Sequence, residues 1–118
     1  EVITQGLIDL GILQGELNTL IDQNAHRAFY MHGLSHWLGL DVHDVGLYNI
    51  DGEARPLKEG MVFTVEPGIY IDAESQCDPK WHGIGVRIED NVVITQNGFE
   101  NLTHPVPKTI EEIEGLMA

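Results

Sequence analysis

Basic side chains are scarce. Six Lys and Arg stand against nineteen Asp and Glu, a formal charge of −13 at neutral pH. So acidic a chain repels phosphate backbones and anionic headgroups, so neither nucleic acid nor a membrane is expected as a partner. No apolar run approaches the ~20 residues of a spanning helix, and no basic-then-apolar leader opens the sequence, so a soluble protein is expected. Cysteine is scarcer still. Cys77 stands alone and can form no internal disulfide, and its neighbours Gln76 and Asp78 supply no activating base. It reads as a bystander thiol in a reducing, cytoplasmic compartment. What remains is ordinary globular material: 118 residues, 42% hydrophobic and 21% charged, enough for one small domain with one core.

The chemistry-bearing groups crowd into residues 32–44, His-Gly-Leu-Ser-His-Trp-Leu-Gly-Leu-Asp-Val-His-Asp. His32 and His36 are four apart, so a turn of helix would put both imidazoles on one face, whereas Leu40 to His43 alternates like a strand and would aim Asp41 and His43 together. Gly33 and Gly39 argue against a long helix, which leaves a turn or loop leading into a strand. A zinc-peptidase helix would need a glutamate beside the first histidine, where Gly33 stands, so that mechanism is disfavoured. Histidines on a half-apolar segment are also common as hydrogen-bonded core residues, and the stretch by itself leaves that open.

Upstream, Val2, Ile3, Leu7, Ile8 and Leu10 show helical spacing with no capping residue before them, as in a helix entered midway. The period resumes from Glu16 to about Ala25, so a helix-turn-helix pair is expected. Tyr48 to Gly60, with Asp51-Gly52 and Pro56, reads as a surface loop. Met61 to Glu66 is a strand by its β-branched and aromatic content, and Pro67 ends its ladder. Ile69 to Ile71 extends the sheet, and Asp72 to Lys80 is a second loop. Gly85 to Glu89 alternates, so Arg87 and Glu89 should share one face of a strand. Asn91 to Gln96 follows as another strand, Asn97-Gly98 signals a hairpin toward Phe99 to Thr103, and Thr109 should cap a short final helix.

Glu66 and Glu89 thus fall in otherwise apolar strands. A buried carboxylate must be neutralised, hydrogen-bonded or bound to a cation. An ion pair with Arg87 would satisfy Glu89 without any metal. Taken together, however, His36, Glu66 and Glu89 form an imidazole-plus-carboxylate set of the kind that holds Mn, Fe, Co or Zn.

Three blocks, the 32–44 stretch, Thr64-Val-Glu-Pro-Gly68 and Gly85-Val-Arg-Ile-Glu-Asp90, closely resemble the bacterial Xaa-Pro aminopeptidases (the aminopeptidase P family) and occur in that family's order. The likeness runs through the Glu-Asn-Leu-Thr and Ile-Glu-Glu-Ile-Glu tail. It implies an α+β pita-bread catalytic domain, an antiparallel curved sheet with helices on one face, of which residues 1–118 would be the C-terminal half. It also implies hydrolysis of the bond before a proline in second position, by a water activated between two divalent ions, most simply Mn(2+), with Xaa-Pro peptides as substrates.

By the same resemblance His36 and Glu66 ligate one metal, and Glu89 bridges both and acts as base. His32 and His43 hydrogen-bond substrate and stabilise the tetrahedral intermediate, and Arg87 holds carboxylate orientation. The family's two metal-binding aspartates and a further substrate-binding histidine would lie before residue 1, so three of five ligands are present and the chain by itself should be inactive. Asp41 and Asp44 have no ligand role in the family motif and should hydrogen-bond within their loop. Prolidase-like Xaa-Pro dipeptidases share the histidine-glutamate-glutamate logic. Some pita-bread domains serve as non-catalytic interaction modules, and a half domain with an uncovered apolar face should form a homo-oligomer.

Overall fold

The computed structural model describes all 118 residues. In chain order its elements are helices α1 (Val2–Asp9) and α2 (Leu17–Asp22), strands β1 (Asn49–Ile50), β2 (Glu53–Ala54), β3 (Val62–Val65), β4 (Gly68–Ile71), β5 (Ile84–Arg87), β6 (Asp90–Thr95) and β7 (Gly98–Asn101), and helix α3 (Ile110–Met117). Single turns of 3-10 helix occupy Ala25–Ala28 and Pro79–Trp81. Pairing is antiparallel throughout and is shared among three small sheets, β1-β2, β3-β6-β7 and β4-β5. No helix is long and apolar enough to cross a membrane. The chain divides into two compact units, Glu1–Gly33 with Pro67–Arg87, and Leu34–Glu66 with Ile88–Ala118.

The first unit holds the main apolar core. Leu7, Ile12, Phe29 and Ile71 are buried together, with Ile3, Leu13, Ile69, Cys77 and Trp81 packed against them. Each fully buried Leu, Ile or Phe contributes about 1.5–3 kcal/mol, so this cluster dominates the unit's stability. The helix-turn-helix expectation holds. α1 stops where Gly11 takes φ +70°, a left-handed turn that lets the Ile12 and Leu13 N–H groups donate to the Leu7 carbonyl. Glu16 caps α2 by accepting from the Thr19 N–H at 2.9 Å. β4 joins this unit through Tyr70, whose N–H donates to the Phe29 carbonyl at 2.8 Å, and β5 pairs with it from Gly68↔Arg87 to Ile71↔Ile84.

In the second unit β3 pairs with β6, and β6 with β7. The β6-β7 turn differs by one residue from the expected Asn97-Gly98 loop. Thr95 pairs with Gly98, so Gln96 and Asn97 make the turn and the unusual backbone, φ +146°, falls on Gly98. A ribbon, β1-β2, interrupts what was expected to be a loop, because Asp51 (φ 53°) and Gly52 (φ +86°) together form a tight left-handed turn. α3 starts at a capping box in which the Thr109 hydroxyl accepts from the Glu112 N–H and the Glu112 carboxylate accepts from the Thr109 N–H, as the sequence indicated. Where β6 begins, Asp90 accepts from Lys108 Nζ and Thr103 Oγ1, each at 2.7 Å, and these donors hold its carboxyl down to about 2.

The structure corrects three local expectations. Residues 85–89 are not one strand: β5 ends at Arg87, Ile88 and Glu89 link it to β6, and Glu89 is exposed rather than buried. The cause is a change of partner, since Arg87 pairs with Gly68 while Asp90 pairs with Val65, and those two partners are themselves separated by the break at Glu66-Pro67. His32 and His36 do not share a helical turn, because the chain between them is extended and bent. Residues 40–43 form no strand either. Asp44 folds back so that its carboxylate accepts the N–H groups of Leu40 (3.0 Å) and Val45 (2.8 Å), which closes a loop.

Candidate metal centre

The site is built by strand register. Residues 34–38 lie along the free edge of β3: the Glu66 N–H donates to the Leu34 carbonyl (2.8 Å), the Thr64 N–H to that of His36 (3.0 Å) and the Leu38 N–H to that of Val62 (3.1 Å), with Trp37 bridging to Phe63. His36 therefore stands opposite Thr64. On the other edge of β3 the ladder with β6 runs from Val62↔Val93 to Val65↔Asp90, and one further step brings Glu66 opposite Glu89. Because side chains alternate along a strand, Thr64 and Glu66 share a face, and their neighbours His36 and Glu89 join them there. One ligand atom from each of His36, Glu66 and Glu89 lies within 4.8 Å of the others.

Thr64 ties this group together, and nothing in its sequence neighbourhood singled it out. Its buried hydroxyl accepts the His36 N–H at 3.0 Å and donates to Glu66 Oε1 at 2.9 Å. Glu66 is itself 7% exposed, and its Oε1 lies 3.2 Å from His36 Nε2. The other imidazole nitrogen, Nδ1, lies 3.0 Å from the Trp37 carbonyl. A carbonyl only accepts, so this contact puts the proton on Nδ1 and leaves the Nε2 lone pair facing a carboxylate oxygen. Two acceptors so close need a proton shared between them or a metal ion held by both. With a second carboxylate from Glu89 alongside, this imidazole-carboxylate set fits a divalent transition metal.

His43 enters this group through the loop closed by Asp44, which also donates its own N–H to the Trp37 carbonyl at 3.0 Å. The His43 ring meets that of His36 edge-on, centroids 4.4 Å apart at 71°. Gly39 permits the closure, because a side chain there would run into the Asp44 carboxylate.

His32 and Arg87 belong to the first unit, where both meet Tyr70. Arg87 Nε donates to Tyr70 Oη at 2.6 Å, and Tyr70 Oη lies 3.0 Å from His32 Nε2. The His32 Nδ1 hydrogen is taken by the Gly33 carbonyl at 2.8 Å. That contact leaves Nε2 as acceptor, so the chain of donors runs from Arg87 through Tyr70 to His32. Tyr70 escaped the sequence reading because it looks like one more apolar residue of β4. Gly68 is what lets its ring fold over the strand, since a Cβ there would overlap the phenol.

Comparison with known proteins points the same way. The profile of metallopeptidase family M24 matches residues 2–96. The Xaa-Pro aminopeptidase of Escherichia coli (strain K12) is 59% identical over 116 residues, which cover 98% of this chain and 26% of that protein. The structure of Pseudomonas aeruginosa aminopeptidase PepP superposes with a TM-score of 0.94 at 59% identity, over 98% of this chain and 26% of its own. That of E. coli aminopeptidase P with the inhibitor Pro-Leu gives 0.91 at 59%, with the same coverage. This likeness assigns the pita-bread fold, and the chain spans about a quarter of the length of the relatives it matches. A family profile over most of the chain, close relatives and a candidate metal group beside the β3-β6 ladder agree: the chain belongs to metallopeptidase family M24.

Proposed function

We propose that these 118 residues are the C-terminal half of the catalytic domain of a cytoplasmic Xaa-Pro aminopeptidase, and that His36, Glu66 and Glu89 are its contribution to a site for two divalent metal ions, Mn(2+) in the native enzyme. The observation that carries this reading is the convergence of one ligand atom each from His36, Glu66 and Glu89, within 4.8 Å, beside the β3-β6 ladder. The bound inhibitor Pro-Leu in the E. coli relative supports a proline-containing peptide as substrate.

In this reading the metal ions supply Lewis acidity that makes a water nucleophilic near neutral pH. The protein residues do the rest. Glu89 accepts the proton released as that water attacks the peptide carbonyl. Glu66, fixed by Thr64, keeps its oxygens aimed at the ligand position. His43 donates a hydrogen bond to the oxygen that gains charge, and in the first unit Arg87, through Tyr70, fixes the His32 ring. One imidazole and two carboxylates carry a charge of only about −2, against +4 for two divalent ions, so these 118 residues alone bind metal weakly and turn over little substrate.

The test is release of the N-terminal residue from an Xaa-Pro peptide with added Mn(2+). It compares the 118-residue chain, a longer protein containing it, and that longer protein carrying His36→Ala. The longer protein should turn over, its His36→Ala variant should lose orders of magnitude in rate, and the short chain should be near background. Full activity in the His36→Ala protein would remove the site from this reading, and robust turnover by the short chain would overturn the charge argument.

A further inference from the structure

Glu89 poses a problem for the proposed site: it is exposed and lies just outside the β3-β6 ladder, yet a metal ligand must be held still. The fixed point beside it is Asp90. Asp90 Oδ1 accepts from Lys108 Nζ and from Thr103 Oγ1, both at 2.7 Å, and Lys108 Nζ also donates to the Thr103 carbonyl at 3.0 Å. The same Thr103 hydroxyl accepts the Asn91 N–H at 3.0 Å, and the Leu102 N–H donates to the Asn91 carbonyl at 2.8 Å. Lys108 is anchored in turn, its N–H donating to the Glu112 carboxylate of the α3 capping box at 3.0 Å. The ion pair is about a quarter exposed on each side, so it is shielded from solvent far more than the surface pair Lys80–Asp78.

We propose that Asp90 and Lys108, with Thr103, form a clamp that positions Glu89 for metal binding. The inference rests on the reading of Glu89 as a ligand. Consecutive side chains of an extended chain point to opposite faces, so Asp90 grips the backbone from the side away from Glu89 and takes no place in the ligand group, in which only Glu89 of the two appears. The Lys108 charge is neutralised by Asp90, and it does not oppose a cation on the other face. The clamp also gives α3 a role: the helix fixes Lys108, Lys108 fixes Asp90, and Asp90 fixes the backbone that carries Glu89.

The test uses the longer protein containing this chain and titrates Zn(2+) alone, and separately Mn(2+) alone, by calorimetry, alongside thermal unfolding and kcat and KM for an Xaa-Pro peptide. Asp90→Asn and Lys108→Met should each weaken metal affinity about tenfold or more. kcat should fall with KM within about twofold, and the double variant should be little worse than either single one. Lys108→Arg, which keeps a donor for Asp90, should recover most of the affinity. Lys80→Met, which breaks the exposed ion pair, should leave it unchanged. Unfolding temperatures that drop in Asp90→Asn and Lys108→Met while metal affinity and kcat stay within twofold of the parent would overturn the clamp. If Asp90→Asn does not fold, the Lys108→Met and Lys108→Arg pair decides. Glu89→Gln separates the two levels: loss of metal in Glu89→Gln with none in the clamp variants refutes the clamp and spares the site, whereas parental affinity in Glu89→Gln refutes the site itself.

Discussion

His36 Nε2 lies 3.2 Å from Glu66 Oε1 with its own Nδ1 engaged by the Trp37 carbonyl. Because Nε2 then offers a lone pair to a carboxylate, Glu66→Gln should separate stability from metal binding. The amide can turn its NH2 group to His36 Nε2, and the Thr64 hydroxyl, which donated to the same oxygen, can turn to accept from that NH2. Unfolding of the metal-free protein should therefore change by less than about 1 kcal/mol. Metal affinity, measured by calorimetry, should fall at least tenfold through loss of the charge. A Glu66→Gln protein that keeps its affinity would show that the pair is held by a proton alone.

Thr64 is the hinge of the same contact, donating to Glu66 and accepting from the His36 backbone while 1% exposed. Thr64→Val keeps the shape and deletes both hydrogen bonds, leaving a buried carboxylate short of one donor and an N–H without its partner. A cost of about 1–3 kcal/mol in chemical denaturation is expected. Thr64→Ser, which keeps the hydroxyl, should recover most of it, and a Thr64→Val protein as stable as the parent would show that the two hydrogen bonds contribute nothing.

Glu66 could be picked out from local pattern because a carboxylate before Pro67 ends a run of β-branched residues. The Thr109 cap was legible for a similar reason, since all its partners lie within four residues. Register was not legible. Nothing near His36 says that residues 34–38 lie against β3, and nothing near Glu89 says that it falls opposite Glu66, because both follow from pairings between segments some twenty to thirty residues apart. The alternation of residues 85–89 misled for a related reason: the pattern looks continuous although the chain changes partner at Ile88 and Glu89. Two-residue strands such as β1 and β2 are too short to carry a period, so only their Asp51-Gly52 turn showed.

At α3 the pH dependence has a definite sign. The Thr109 N–H, then the Lys108 N–H and the Thr109 hydroxyl, hold the Glu112 carboxyl below its ordinary value of 4.5. A carboxyl depressed in the folded state stabilises fully above its unfolded value and loses that contribution as pH falls through the folded one. Amide exchange at Thr109 and Glu112 should therefore quicken as pH drops below about 4.5, once intrinsic exchange rates are divided out. Glu112→Gln should flatten that trend, and an unchanged trend in this variant would assign it to another carboxyl.

The chain on its own should self-associate. Leu40 is 103% exposed, Val45 91% and Phe99 70%, and α3 presents Ile110 and Leu116 with no buried residue at all. Apolar side chains in such number promote contact with further copies. In sedimentation over a range of concentrations the weight-average mass should rise above 13.1 kDa. A monomer at every concentration would refute self-association.

Gly39 and Gly52 should respond differently to alanine, although both sit in tight turns of the second unit. At Gly52 nothing lies within 4 Å of an added Cβ, and the cost comes from φ +86°, a backbone that L-residues rarely adopt. About 1 kcal/mol is expected there, with no consequence for the site. At Gly39 the added methyl would strike the Asp44 carboxylate, which must swing away and give up the N–H groups of Leu40 and Val45. Those two hydrogen bonds close the loop that brings the His43 ring to 4.4 Å from that of His36. Gly39→Ala should thus cost about 1–3 kcal/mol and also displace His43. The shift should show as a change in the His43 and His36 ring resonances in NMR that Gly52→Ala does not produce. Identical ring resonances in Gly39→Ala and the parent would mean that the Asp44 loop does not place His43, and that the imidazole pair is held by β3 and its neighbours alone.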